Sequence, residues 1–160
     1  MKKYVLQISY VLFILLFQVL FDSYLTIKGL IPDFLLIFIL TYALFQPLRE
    51  SILISSIAGL GEDLFSGGVL GLFLLPRVIA SYVVSLLKES PIKSYLKLVL
   101  PIIIFIGSLF TYEIEFVFAN ILKIGAYSHL DILKVSFINF LFTPVSYIFI
   151  YLIKKSEGEK

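Results

Sequence analysis

The charged residues inside otherwise apolar segments are the residues with the most chemistry to offer in this chain of 160 residues. Arg77 lies in the middle of one apolar run, and Glu113 and Glu115 interrupt another. An arginine in such a segment costs at least about 2.5 kcal/mol on insertion scales, so it needs an anionic partner. Asp63 and Glu113 are the candidates, and we predict an Arg77–Glu113 ion pair, which would suit a functional site and bundle packing equally well. Glu115 points nearly opposite to Glu113, because two residues turn a helix by about 200°.

Small and polar residues recur every fourth position along residues 51–67, as Ser51, Ser55, Gly59, Asp63 and Gly67. On a helix this spacing forms one nearly continuous stripe. Small residues in a stripe allow a second helix to approach closely, which is how helices associate within a membrane. The stripe therefore predicts either close packing within the chain or a surface for a partner or ligand.

Asp63 is the charged member of this stripe and follows Glu62. A carboxylate near a membrane is costly unless it lies at the interface or is paired. We expect Asp63 to be a fixed polar anchor for the Gly67-Gly68 turn or for a neighbouring helix. A proton relay is the less favoured alternative.

Motifs for enzymes and metal sites are missing from the sequence. The absence of cysteine excludes disulfides, thiolate catalysis and cysteine-based metal sites. Ser66 has no Gly-x-Ser context, and the single histidine, His129, lies in a polar break. There is no P-loop and no dinucleotide fingerprint. We therefore expect no enzyme activity and no catalytic, cofactor-binding or metal-binding residue, and the net charge of +2 does not suggest a nucleic-acid partner.

The elements that carry these residues are predicted transmembrane helices. Hydrophobic residues make up 60% of the chain and its mean hydropathy is +1.05. They cluster in runs close to the length of about 20 residues that crosses a bilayer. Pro32-Asp33 is a helix-start signal, and the first run is read as a retained helix rather than a cleaved signal peptide. The predicted helices are 4–21, 31–46, 51–65, 69–87, 98–122 and 135–153, and loop 123–134 has room for a short interfacial helix.

The distribution of basic residues predicts the orientation of this six-helix bundle. If both termini are cytoplasmic, nine basic residues lie inside (Lys2, Lys3, Arg49, Lys88, Lys93, Lys97, Lys154, Lys155 and Lys160) and three outside (Lys28, Lys123 and Lys134). Cytoplasmic loops carry the excess of lysine and arginine, so both termini are predicted inside. We expect one polytopic domain over residues 1–153, a charged cytoplasmic tail over 154–160, and no soluble domain.

Several landmarks give the sequence a resemblance to a known family. Pro32-Asp33 opens the second helix, residues 58–71 carry glycines spaced around an aspartate, and Lys154-Lys155 follow the last helix. With the chain's size and number of spans, this pattern resembles the bacterial rod shape-determining family MreD. That family does not lead us to expect charged side chains at three positions of this sequence, Arg77, Glu113 and Glu115. The family-like landmarks are Pro32, Asp33, Gly59, Asp63, Gly67, Gly71, Asn139 and Pro144.

The resemblance implies a non-enzymatic scaffold of the cell-elongation complex in the bacterial inner membrane. Its partner would be the bitopic protein MreC, and through it the glycosyltransferase RodA, the paired transpeptidase and the MreB filament, with a link to peptidoglycan synthesis. The family is also thought to share a fold with the substrate-binding S components of energy-coupling-factor transporters. A small-molecule-binding transport component, with a pocket lined by Asp63, Arg77 and Glu113, is therefore the alternative. Convergence of these groups on one pocket would favour it.

Overall fold

A computed structural model describes residues 2–21, 30–89, 95–124 and 128–156. All the regular elements in these ranges are helices, which confirms the predicted all-α fold class. The predicted breaks around Lys28, around Pro91 and Lys93, and at 125–127, and the tail beyond Ser156, lie outside the described residues. The helices are α1 (Lys2–Phe21), α2 (Phe34–Phe45), α3 (Leu48–Ser66), α4 (Leu74–Leu86), α5 (Leu96–Ile121), α6 (His129–Leu141) and α7 (Thr143–Ser156). A single 3-10 turn at Leu87–Glu89 extends α4.

The second helix lies at the centre of the bundle. Its residues from Phe34 to Leu44 are all buried, as expected for a helix that is apolar on every side. It contacts α1, α3, α4, α5 and α7. Aromatic rings fix its contact with the end of the chain, where the Phe38 and Phe149 ring centroids are 5.2 Å apart and perpendicular. The other helices surround this hydrophobic core.

The helix that follows Pro32-Asp33 begins later than the sequence predicted. The helix begins at Phe34, and Asp33 is its N-cap rather than a residue of its first turn. The Asp33 carboxylate accepts a hydrogen bond of 2.8 Å from the Leu36 N–H. Such a cap satisfies one of the N–H groups that a helix start leaves unpaired.

The connection between α3 and α4 is longer than the predicted turn. Helix α4 begins at Leu74, whereas the sequence predicted a start at Val69. Gly67 and Gly71 have φ angles of +63° and +100°, values that end a right-handed helix and that side-chain-bearing residues rarely adopt. Two glycines with positive φ angles therefore lie between α3 and the start of α4.

The predicted last helix over 135–153 is wrong as a single straight segment. The chain forms α6 and α7, which are bent by 56° at Phe142. Pro144 has no N–H to donate to the Phe140 carbonyl, which favours a break between α6 and α7 at this point. The Thr143 hydroxyl donates to that carbonyl instead, at 2.6 Å. In addition, α6 starts at His129, within the region that was predicted as a loop.

Length and composition identify the segments of the described chain that could cross a bilayer. Among the described residues, Leu98–Ile121 is long and apolar enough to cross a bilayer by itself, and α6 with α7 passes the same test if the bent pair is one span. Three further apolar helices are shorter: Tyr4–Leu20, Phe34–Phe45 and Leu74–Leu86.

Candidate functional site

The buried guanidinium of Arg77 is the centre of the polar site. Arg77 is 1% exposed, and its Nη2 donates to the Asp33 Oδ2 at 3.1 Å. Its Nε forms a second ion pair with the Glu62 carboxylate. The predicted Arg77–Glu113 pair is therefore wrong. Helices α3 and α4 bring Glu62 to Arg77 because they pack side by side, and α2 presents Asp33 from its N-terminus.

Asp33 joins four helices through its carboxylate and its backbone N–H. Besides Arg77 of α4, its Oδ2 accepts a hydrogen bond of 3.1 Å from the Tyr112 hydroxyl of α5. The Asp33 N–H donates to the Asn139 Oδ1 of α6 at 2.9 Å, and the Asn139 amide donates to the Ser108 hydroxyl of α5 at 3.2 Å. Hydrogen bonds between helices replace water as partners for polar groups inside a membrane protein. The landmarks Asp33 and Asn139 thus belong to one network.

Glu115 is a third carboxylate at this site, and one of its oxygen atoms has no hydrogen-bond partner. That atom is Oε1, and the residue is 6% exposed. Arg77 Nη1 is likewise buried without a hydrogen-bond partner. A buried polar atom without a partner costs about 1–3 kcal/mol, and more when it is charged. The site therefore has an unused acceptor and an unused donor.

These groups line a cavity of about 390 Å³. Its apolar walls come from α1, α3, α6 and the residues before α2 and α4. Its polar walls are Gln18, Asp33, Glu62, Ser66, Arg77, Tyr112 and Glu115. A mostly apolar cavity with a few convergent polar groups is the usual form of a binding site. This is the candidate functional site.

Asp63 points away from this cavity, although it is the neighbour of Glu62 in sequence. Its carboxylate accepts hydrogen bonds from three backbone N–H groups, those of Gly71 at 2.7 Å, Phe73 at 2.9 Å and Leu74 at 3.4 Å. Asp63 thus ties the end of α3 to the turn and to the start of α4. Asp63 is therefore a polar anchor for the connection between α3 and α4, as predicted.

The stripe on α3 is covered by the chain's own helices. Ser51, Ser55, Gly59 and Asp63 are all buried, while Gly67 lies exposed at the C-terminal cap. A Cβ atom on Gly59 would lie 2.6 Å from the Leu74 Cα, so the glycine allows α3 and α4 to touch backbone to backbone. Of the two uses left open by the sequence, these contacts show packing within the chain.

Glu113 lies outside the cavity. Its Oε1 is 3.0 Å from the Nδ1 of His129 at the first residue of α6, and the two side chains are 45% and 68% exposed. An exposed pair of this kind contributes little to stability. His129 lies in a segment predicted as a loop, so this contact was not predicted from the sequence.

Sequence reasoning did not predict that three residues of the site contact Arg77 or line a pocket. These residues are Asp33, Glu62 and Tyr112. From the sequence, Asp33 was assigned to a helix start, and Glu62 was noted only as the neighbour of Asp63. Tyr112 is one of ten tyrosines and carried no separate signal. In the described part of the chain, no group of three or more His, Asp or Glu side chains has the geometry to hold a metal ion.

Comparisons with known proteins give the family. No curated protein and no solved structure matches the chain, so the likeness to transporter S components stays a prediction. The family model described as rod shape-determining protein MreD matches residues 1–156, nearly the whole length. The chain therefore belongs to the MreD family, whose members take part in determining rod shape.

Proposed function

We propose that this chain is a non-enzymatic scaffold subunit of the cell-elongation complex in the bacterial inner membrane. It binds an MreC-like bitopic protein, and through that partner it is linked to a RodA-like glycosyltransferase, its transpeptidase, MreB and peptidoglycan synthesis. The observation that carries the proposal is the family match over residues 1–156. The chain works through binding energy, by presenting a fixed surface to partner helices.

The proposed topology has six spans with both termini in the cytoplasm. The bent pair of α6 and α7 counts as one span, and the excess of basic residues on the inner side supports the orientation. Helices α1, α3 and α5 then run outward, and α2, α4 and the α6–α7 pair run inward. In this topology the cavity lies in the outer half of the bundle, because it is formed by the end of α3 and the starts of α2, α4 and α6.

The α3 stripe contributes to the scaffold indirectly in this proposal. Because Gly59 and Asp63 fix α4 against α3, they set the shape of the bundle rather than contact a partner. The surface proposed for the partner helix lies on α1, where Phe13, Leu16 and Leu20 are 68%, 47% and 69% exposed. Their spacing places them on one helix face.

An affinity pull-down from native membranes in mild detergent, followed by mass spectrometry, tests the scaffold role. We expect recovery of MreC-like, RodA-like and transpeptidase proteins. A variant with Phe13 and Leu20 changed to alanine should recover less of the MreC-like protein, whereas the Glu113→Gln control should recover the normal amount. Recovery of ATPase subunits and a coupling membrane protein instead would contradict the scaffold proposal.

A small-molecule-binding transport component is the second candidate, and the cavity is the observation in its favour. The trio predicted to line a pocket does not converge, since Asp63 bonds the turn and Glu113 contacts His129. Arg77 nevertheless lines a cavity together with other carboxylates. The same pull-down separates the candidates, because a transport component would bring its ATPase subunits with it.

A further inference from the structure

The cavity carries more negative than positive charge. Asp33 and Glu62 share the guanidinium of Arg77, and Glu115 is a third carboxylate beside the same arginine. With all four groups ionised, two negative charges are in excess. Unpaired charge is very costly in a membrane interior, so the excess calls for a positive group or for protons.

One atom marks where a positive group would bind. The Oε1 of Glu115 is buried, faces no hydrogen-bond donor and belongs to a side chain that lines the cavity. The other carboxylates are already engaged, because Asp33 accepts from Arg77, Tyr112 and its own helix, and Glu62 pairs with Arg77. Glu115 is therefore the carboxylate with capacity for a further donor.

The remaining lining and the volume of the cavity indicate what kind of ligand would fit. Apart from the charged groups, Tyr112, Gln18 and Ser66, the cavity is lined by apolar side chains, including Leu15 of α1, Phe65 of α3 and Val135 of α6. A volume of about 390 Å³ is in the usual range for small-molecule sites. An apolar body with one terminal charged donor matches both parts of the lining.

The geometry points to a binding site for a primary ammonium group carried on an apolar body, with the ammonium donating to Glu115. The proposed site and the proposed partner surface use different residues of α1, because Leu15, Gln18 and Val19 line the cavity whereas the partner surface is Phe13, Leu16 and Leu20. The ammonium belongs either to a free amine or to the headgroup of an ethanolamine lipid, which share this chemistry.

Benzylamine, which is protonated at pH 7, and benzyl alcohol, its neutral counterpart, are the matched probes. Isothermal titration calorimetry on the full chain in phosphatidylglycerol nanodiscs should detect saturable binding of benzylamine and none of benzyl alcohol. Glu115→Gln should weaken benzylamine binding at least about tenfold, the size expected when a charged hydrogen bond is lost. Glu113→Gln, two residues away on the same helix and outside the cavity, should bind as the unchanged chain does.

Val135→Trp gives a second variant that keeps every charge. It fills the cavity from α6, so it should abolish benzylamine binding even if Glu115→Gln does not fold. Equal binding of benzylamine and benzyl alcohol would overturn the proposal. So would undiminished benzylamine binding in folded Glu115→Gln or Val135→Trp protein, or no benzylamine binding to the unchanged chain.

Lipid composition then separates the two sources of the ammonium group. In phosphatidylethanolamine nanodiscs a headgroup in the cavity would compete, so benzylamine would bind several-fold more weakly than in phosphatidylglycerol. The same affinity in both lipids would support a free amine. The pull-down for the scaffold role does not depend on Glu115, so either proposal can fail without the other.

Discussion

Glu62 and Asp63 are neighbours in sequence, yet they belong to two polar regions of opposite character. Asp63 is buried and fully engaged by backbone N–H groups of one turn. Glu62 faces a cavity where buried atoms of Arg77 and Glu115 have no hydrogen-bond partner. A region that satisfies all its own polar groups stabilises the fold, whereas one that leaves some unsatisfied has capacity for a ligand. By this criterion Asp63 has a structural role, whereas Glu62 belongs to the candidate functional site.

Loss of Arg77 should give the largest effect, because it would leave two carboxylates buried without a counter-charge. We expect Arg77→Leu to lower the free energy of unfolding by about 3–5 kcal/mol, measured by denaturant titration in detergent. Arg49→Leu is the matched control, since Arg49 is exposed and should change little. Equal losses in the two variants would contradict the ion pairs described for Arg77.

A double-mutant cycle checks the partner within the same region. Arg77→Leu combined with Glu62→Leu should cost less than the two single changes together, because their ion pair is removed only once. The combination with Glu113→Leu should be additive. Coupling to Glu113 in place of Glu62 would restore the pairing first expected from the sequence.

Asp63 provides the corresponding test for the satisfied region. Asp63→Leu removes the acceptor of three backbone N–H groups and should cost about 2–3 kcal/mol in unfolding free energy. It should also reduce recovery of the partner, because the turn and the stripe lose their polar anchor. Asp63→Asn keeps one accepting oxygen and should lose less. Unchanged stability and partner recovery in Asp63→Leu would show that Asp63 does not anchor the connection between α3 and α4.

The close approach of α3 to α4 should also be sensitive to one methyl group. A Cβ on Gly59 meets the Leu74 backbone at 2.6 Å, so Gly59→Ala should cost about 1–3 kcal/mol as the helices move apart. Gly68→Ala is the control, because its Cβ would meet only the Ser66 hydroxyl at 3.4 Å. Thermal unfolding of both variants measures the difference, and equal melting temperatures would show that the two helices are not tightly packed.

The smallest expected change in unfolding free energy is an increase, and it distinguishes the cavity from the region around Asp63 most directly. Glu115→Gln removes the charge of a carboxylate whose buried Oε1 has no hydrogen-bond partner, so in the absence of ligand it should raise the unfolding free energy by about 1 kcal/mol. Asp63→Asn should lower it, although both changes replace a buried carboxylate by an amide. Denaturant titration of the pair compares them directly. A loss of stability in Glu115→Gln would assign Glu115 to the structural region as well.

Features that depend on residues close together in the chain were largely predictable. The apolar runs, the helix start at Asp33 and the turn held by Asp63 all follow from interactions over about ten residues or fewer. The family resemblance came from the same local landmarks, and the family match confirmed it. The break at Pro144 could also have been predicted, because a proline in the interior of a helix removes one of its backbone hydrogen bonds.

The sequence by itself determined that the chain is helical, where most helices lie, and to which family it belongs. Only the tertiary structure decided which carboxylates meet Arg77, and that Glu113 does not. Asp33 is 44 residues from Arg77, and Tyr112 is 79 residues from Asp33. Such pairs depend on how far each helix is rotated and shifted against its neighbours. Packing of many side chains sets those values, and no short stretch of sequence contains them.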